Sequence, residues 1–156
     1  MRVLQERSKM KVYIASPFFN EEEILRVEKL KNLLNHFELE YFSPKDESNL
    51  KFKGDSASGE EVFKINIEEI KKCDAVIAIT NGKDTGTLFE AGLAYGLGKN
   101  IVYLYDGGES FNLMLSNSGI ATTSFEELEE VLFAWLKGEF SYEVVRQMQS
   151  NKYKCF

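Results

Sequence analysis

Apolar residues along this chain switch repeatedly between two rhythms. "KVYIAS" (11–16), "DAVIAIT" (74–80) and "NIVYLY" (100–105) are short, nearly continuous apolar runs rich in β-branched and aromatic residues. Such runs predict strands, and the unbroken ones predict strands covered on both faces, as in a parallel sheet. Between them the spacing lengthens. In "NEEEILRVEKLKNLLNHF" (20–37), Ile24, Val27, Leu30, Leu33 and Leu34 recur at helical intervals, with Asn20 as the N-cap and acids in the first turn. "ELEYFSP" (38–44) fits a second strand ending at a proline, and a helix from Glu60 to Lys72 turns Val62, Ile65 and Ile70 inward. The turn "NGKDTG" (81–86) leads into a helix holding Glu90. "IATTS" (120–124) reads as a short last strand and "SFEELEEVLFAWLKGE" (124–139) as a capped helix. The stretch 45–60 is polar and contains glycine and serine, so it reads as a mobile loop; the tail to Phe156 is mixed and polar.

Strand and helix alternate throughout, which predicts a doubly wound α/β sandwich around a five-stranded parallel sheet. In such sheets ligands sit outside the carboxyl ends of the strands, so the loops 16–20, 81–87 and 106–114 are expected to line the site. The 156 residues make one domain. Met10 stands just before the first strand, so residues 1–9 read as a dispensable extension to a domain over 10–156.

Composition narrows the function. The formal charge is −6 and no Lys/Arg cluster interrupts it for long. Nucleic-acid polymers and anionic membranes are therefore not expected partners, since binding them rests on basic side chains neutralising phosphate. No apolar run approaches the length of a membrane span, and the opening "MRVLQERSKM" is too polar for a signal peptide. Cys73 and Cys155 stand far apart in no ligand spacing, as reduced thiols of a cytoplasmic protein do. The single histidine, His36, lies in a helical stretch, which argues against histidine triads and histidine metal centres. Catalysis then falls to carboxylates, tyrosine or serine, with neither metal nor cofactor.

One carboxylate stands out. In "DTGTLFEAGLAYGLGK" (84–99), Glu90 is the lone acid inside a run of small and apolar residues. Two readings compete. "TLFE" (87–90) matches a capping box, with Thr87 as the cap and Glu90 reaching back to its backbone N–H. Yet Glu90, Leu93, Ala94 and Leu97 share one helical face, which puts the carboxylate at the rim of the expected crevice. There the helix N-terminus favours its charged form, and an ionised, oriented, partly dry carboxylate is a nucleophile. Asp84, six residues earlier, is either the second acid or a turn aspartate bonding its own backbone. Phe18 and Phe19 follow a strand end, where they stack on a planar ring or pack in the core. "DGGE" (106–109) and "GLAYGLGK" (92–99) lack the spacing of phosphate loops and read as turn and helix-end glycines.

Taken together, "KVYIASPFFNEEE", "VFKINIEEIKKCDAVIAI", "DTGTLFEAGLAYGLGK" and "FNLM" resemble the nucleoside 2-deoxyribosyltransferases in order and spacing across roughly residues 11–120. The resemblance implies a flavodoxin-like fold and exchange of the base on 2′-deoxyribonucleosides, without cofactor. It implies that Glu90 is the nucleophile, that the Tyr13 hydroxyl holds that carboxylate, and that Asp84 contacts the substrate, with Gly86 in the same D-x-G element. Asn112 and Met114 match the segment a neighbouring subunit lends to the 5′ end of the sugar, and Phe156 matches a tail that reaches an active site. Both imply a homo-oligomer, a hexamer built as a trimer of dimers or a dimer, acting on nucleosides and free nucleobases.

Two departures alter the expectation. Asn66 falls where the family carries aspartate near the leaving base, and an amide cannot donate a carboxyl proton. Base protonation then passes to Asp84, or the rate and base choice change. "SPKDES" (43–48) also lacks a glutamine that some members use to read the base, so purine versus pyrimidine preference stays open. A hydrolase, with water replacing the second base, is the nearest alternative, and a non-catalytic nucleoside-binding module is another. Relatives that cleave deoxynucleoside 5′-monophosphates carry serine where this chain has Asp84. A carboxylate there repels phosphate, which makes free nucleosides the expected substrates.

Overall fold

Successive residues of the central strands point to opposite sides, and both sides are buried. That period of two divides the protein into two cores with one sheet between them. The structure is a computed structural model describing residues 9–46, 59–138 and 140–153. Most of the expected loop 45–60, nearly all of the extension 1–9, and Phe156 lie outside the described residues.

The elements run β1 (Lys11–Ala15), α1 (Glu21–His36), β2 (Glu40–Phe42), α2 (Gly59–Lys72), β3 (Ala75–Ile79), a 3-10 turn (Asn81–Lys83), α3 (Thr85–Gly96), β4 (Asn100–Leu104), α4 (Leu113–Ser118), β5 (Ile120–Thr122), α5 (Phe125–Leu136) and α6 (Tyr142–Ser150). The five strands are all parallel, in the order β2-β1-β3-β4-β5. This is the flavodoxin-like arrangement, in which the strand order reverses between β1 and β3. On one face Val12, Ile14, Ile77 and Leu104 pack against Leu30 and Leu34 of α1 and Leu128 and Trp135 of α5. On the other, Tyr13, Ala15, Val76 and Ala78 meet Ile70 of α2 and Ala91 and Ala94 of α3. Small residues on both sides of that second contact let α3 lie close to the sheet, which matters for the site.

Helix ends follow local chemistry. Asn20 caps α1 by accepting from the Glu23 N–H at 2.9 Å, as its sequence predicts. The same helix ends in a Schellman turn with Glu38 at φ 58°, which delays β2 to Glu40 and shortens the expected strand 38–44. Gly98, at φ 75°, closes α3 in the same way, a position where glycine costs little. The tail expected to be irregular instead forms α6. Its Gln149 donates to the Ala121 carbonyl on β5 at 3.1 Å, and the Tyr142 hydroxyl donates to the Ile101 carbonyl at 2.6 Å. The helix thereby covers a sheet edge that would otherwise expose backbone acceptors. Among the described residues no helix is long and apolar enough to cross a membrane.

Candidate active site

Tyr13 occupies the middle of β1, in register with Phe42 on β2 and Val76 on β3, and is fully buried. Its ring stacks on Phe42 with centroids 5.6 Å apart, so the side chain has little freedom to turn. The hydroxyl donates a hydrogen bond to Oε2 of Glu90, in the second turn of α3. The pair therefore sits at the point where the strand order reverses, on the face shared by α2 and α3. No hydrogen bond to Glu90 Oε1 is found among the described residues.

The capping-box reading of "TLFE" does not hold. α3 begins at Thr85, and Asp84 is the cap: its Oδ2 accepts from both the Thr87 N–H and the Thr87 hydroxyl, each at 2.9 Å. Thr87 is buried, so its hydroxyl needs an internal partner, and Asp84 supplies one while taking the N-cap position. Glu90, freed from capping, turns inward to Tyr13.

Burial pushes the Glu90 carboxyl up to about 7; the Tyr13 hydrogen bond pulls against that rise, and the nearby Asp84 charge adds to it. The expectation of a carboxylate held ionised by its helix is corrected accordingly: near neutrality Glu90 divides between its two forms. Desolvation outweighs the helix dipole because the group lies in the second turn rather than at the terminus. Burial first, and then the Glu90 charge, drive the Tyr13 phenol far above its usual range, so it remains a donor.

The other expected residues divide. Gly86 lies against the cap, since a Cβ there would come within 3.3 Å of Asp84 Oδ2. Asn66 is half-buried on α2, the helix beside α3. The Phe18 and Phe19 rings lie 5.2 Å apart, and Phe19 is 76% exposed, so core packing does not account for it. Asn112 caps α4 by accepting from the Met114 N–H at 2.8 Å, while Met114 itself is 74% exposed.

A cavity of about 510 Å³ opens at the carboxyl ends of β3 and β4, lined by Thr80, Lys83, Leu88, Tyr105, Phe111 and Asn112 among others. Tyr13, Asp84 and Glu90 do not line it; it lies beside them, one strand further along the sheet. The Asn81 side chain fixes the two loops around it, donating to the Asp106 carbonyl at 3.0 Å and accepting from its N–H at 2.9 Å. Sequence reasoning passed over Lys83 and Tyr105. The one signal for them was position, each directly following or closing a strand-end segment that the sheet rule assigns to the site.

Comparison with known proteins adds to this geometry. Residues 12–129 match the family described as nucleoside 2-deoxyribosyltransferase. A 2-deoxyribosyltransferase from Bacillus psychrosaccharolyticus is 31% identical with a TM-score of 0.66, the match covering 86% of this chain and 95% of that one. A conserved protein from Enterococcus faecalis V583 is 19% identical with a TM-score of 0.69, covering 80% and 97% of the two chains. A Clostridium botulinum CMP N-glycosidase is 22% identical with a TM-score of 0.59, covering 80% and 99%. At those lower identities the likeness concerns the fold alone. Among curated protein sequences none matches significantly.

Proposed function

Since the chain belongs to the nucleoside 2-deoxyribosyltransferase family, we propose that it moves the 2-deoxyribosyl group between purine or pyrimidine bases of 2′-deoxyribonucleosides, in nucleoside salvage. The observation that carries this reading is the Tyr13 hydroxyl bonded to one oxygen of a half-buried Glu90 at the sheet's switch point.

The chemistry is a double displacement like that of retaining glycosidases. Glu90 Oε1 attacks C1′ through an oxocarbenium-like transition state. The C1′–N bond breaks, its electron pair leaves with the base, and the base takes up a proton. A deoxyribosyl ester on Glu90 results. A nitrogen of the second base then attacks C1′ from the vacated side, the ester bond returns its electrons to Glu90, and the new base sheds its proton. Tyr13 holds Oε2 throughout, orienting the carboxylate for attack and stabilising it when it departs. Asp84 contacts the sugar and is the acid available to protonate the leaving base. Asn66, Phe18 and Phe19 bind the base; Gly86, Asn112, Met114 and Phe156 complete the site, the last three from a neighbouring copy in a homo-oligomer.

Incubation with 2′-deoxyinosine and excess adenine tests this. The expected result is 2′-deoxyadenosine in amounts matching the hypoxanthine released, and none with Glu90→Gln. Hypoxanthine with free deoxyribose would replace transfer by hydrolysis, a second reading favoured by the amide at Asn66. No reaction across several nucleosides would sink both and leave a binding module.

A further inference from the structure

Lys83 is an odd residue to find where it stands. It follows Gly82 (φ 77°) with its own backbone at φ 53°, in the left-handed region that glycine and asparagine occupy more readily. The turn is nonetheless fixed: the Lys83 N–H donates to the Thr80 carbonyl at 3.0 Å, and Asn81 is tied twice to Asp106. A strained backbone that carries a lysine points to a task for the side chain. That side chain lines the cavity beside the candidate nucleophile, in the company of Thr80, Ser110 and Asn112 and the apolar Leu88 and Phe111. It is the cavity's one cationic lining residue, no carboxylate lines the cavity, and no ion pair to Lys83 is found among the described residues. Hydroxyl and amide groups around a single cation suit an oxyanion attached to a larger, partly apolar body.

The position fits a donor bound at Glu90. Leu88 lies two residues before Glu90 on α3, about 3 Å along the helix axis. The cavity begins one strand over from the Tyr13 side, a spacing of about 5 Å. A deoxyribose whose C1′ faces Glu90 spans that gap with its 5′ carbon. The sequence argument that Asp84 excludes phosphate also weakens, because Asp84 Oδ2 is engaged by the Thr87 N–H and hydroxyl rather than directed into the cavity lining.

We propose that Lys83 receives an anionic group on the 5′ carbon of the donor, so that the site takes 2′-deoxynucleoside 5′-monophosphates as well as free nucleosides. The inference rests on the deoxyribosyl reading for the identity of the sugar, but its test requires no turnover. Binding of 2′-deoxyadenosine, its 5′-monophosphate and inorganic phosphate is measured by calorimetry on the protein, on Lys83→Asn and on Lys83→Arg. Asparagine is at ease in the left-handed region, so that variant removes the charge without adding strain. The monophosphate is expected to bind the protein and Lys83→Arg, and to weaken about tenfold or more with Lys83→Asn and with rising salt, while 2′-deoxyadenosine changes less than about twofold. An unbound monophosphate, or an equal loss for both ligands, overturns the proposal. So does inorganic phosphate binding as tightly as the nucleotide, since the cavity would then hold a free anion rather than a donor. Lys83-dependent nucleotide binding without base exchange in any assay would retain this inference and discard the transferase reading.

Discussion

The molecule contains the same side-chain pair twice. Tyr13 donates to Glu90, and Tyr153 donates to Glu127. In the second pair the receiving oxygen, Glu127 Oε1, also accepts the Thr123 N–H at 2.9 Å, while Ser124 accepts from the Glu127 N–H at 3.0 Å. That is a complete capping arrangement at the start of α5, with Tyr153 added on top. Glu90 has no such backbone donor: one oxygen rests on Tyr13, and burial works against its charge. A glutamate whose hydrogen bonds come from a helix terminus is structural. One kept dry with a single side-chain donor holds its charge at a cost, and that unspent reactivity is what a nucleophile needs.

Glu90→Gln and Glu127→Gln should break the likeness most sharply. Base exchange is expected to fall by about a thousandfold or more in the first and to stay within a few-fold in the second. Steady-state rates on 2′-deoxyinosine decide it, and comparable losses in both would remove the distinction.

Stability should move the other way. The Glu90 carboxyl is raised from 4.5 to about 7 in the folded protein. Below 4.5 both states hold the proton and nothing differs. Between those values the folded protein keeps a proton that the unfolded chain has lost, so stability falls as pH rises, and above 7 the full cost of about 3 kcal/mol applies. Glutamine carries no charge to bury. Glu90→Gln should therefore match the parent near pH 4.5 and exceed its unfolding free energy by about 3 kcal/mol at pH 8. Denaturant melts across that range test it, and a pH-independent difference would contradict the buried charge.

Tyr13→Phe sharpens the same contrast from the donor's side. Loss of a hydrogen bond to a charged group should cost about ten- to a hundredfold in kcat/KM. Because that bond lowers the Glu90 carboxyl, its removal should also shift the acid limb of kcat/KM upward from near 7. A lower rate with an unmoved limb would mean Tyr13 only fills space.

Much of this was open to reading in the residues. The alternation of short apolar runs with helical stripes implies the doubly wound sheet, and a lone glutamate leading an apolar face implies the site. Three things were not. The cap of α3 had two candidates three residues apart, Asp84 and Thr87, and burial of the Thr87 hydroxyl, a tertiary matter, chose between them. α6 contacts the sheet through the polar atoms of Tyr142 and Gln149, which hydrophobic periodicity does not register. α4 has six residues, too few to show a period. The protonation level of Glu90 was equally hidden, because it depends on what covers the carboxylate rather than on its neighbours in sequence.

The smallest effect belongs to Tyr153. Its ring lies 5.7 Å from Phe111, which lines the cavity, and its hydroxyl meets both Glu127 and Thr123. Tyr153→Phe keeps the ring contact and removes only the hydroxyl. Glu127 retains the Thr123 N–H, so the helix start survives, and the expected cost is about 1 kcal/mol of stability with exchange rates within twofold. Thermal melts and rates measured together check it. Had the pair at α5 shared the role of the pair at α3, the hydroxyl would matter to rate; confined to stability, its loss leaves Tyr13–Glu90 as the pair whose hydrogen bond is tied to chemistry.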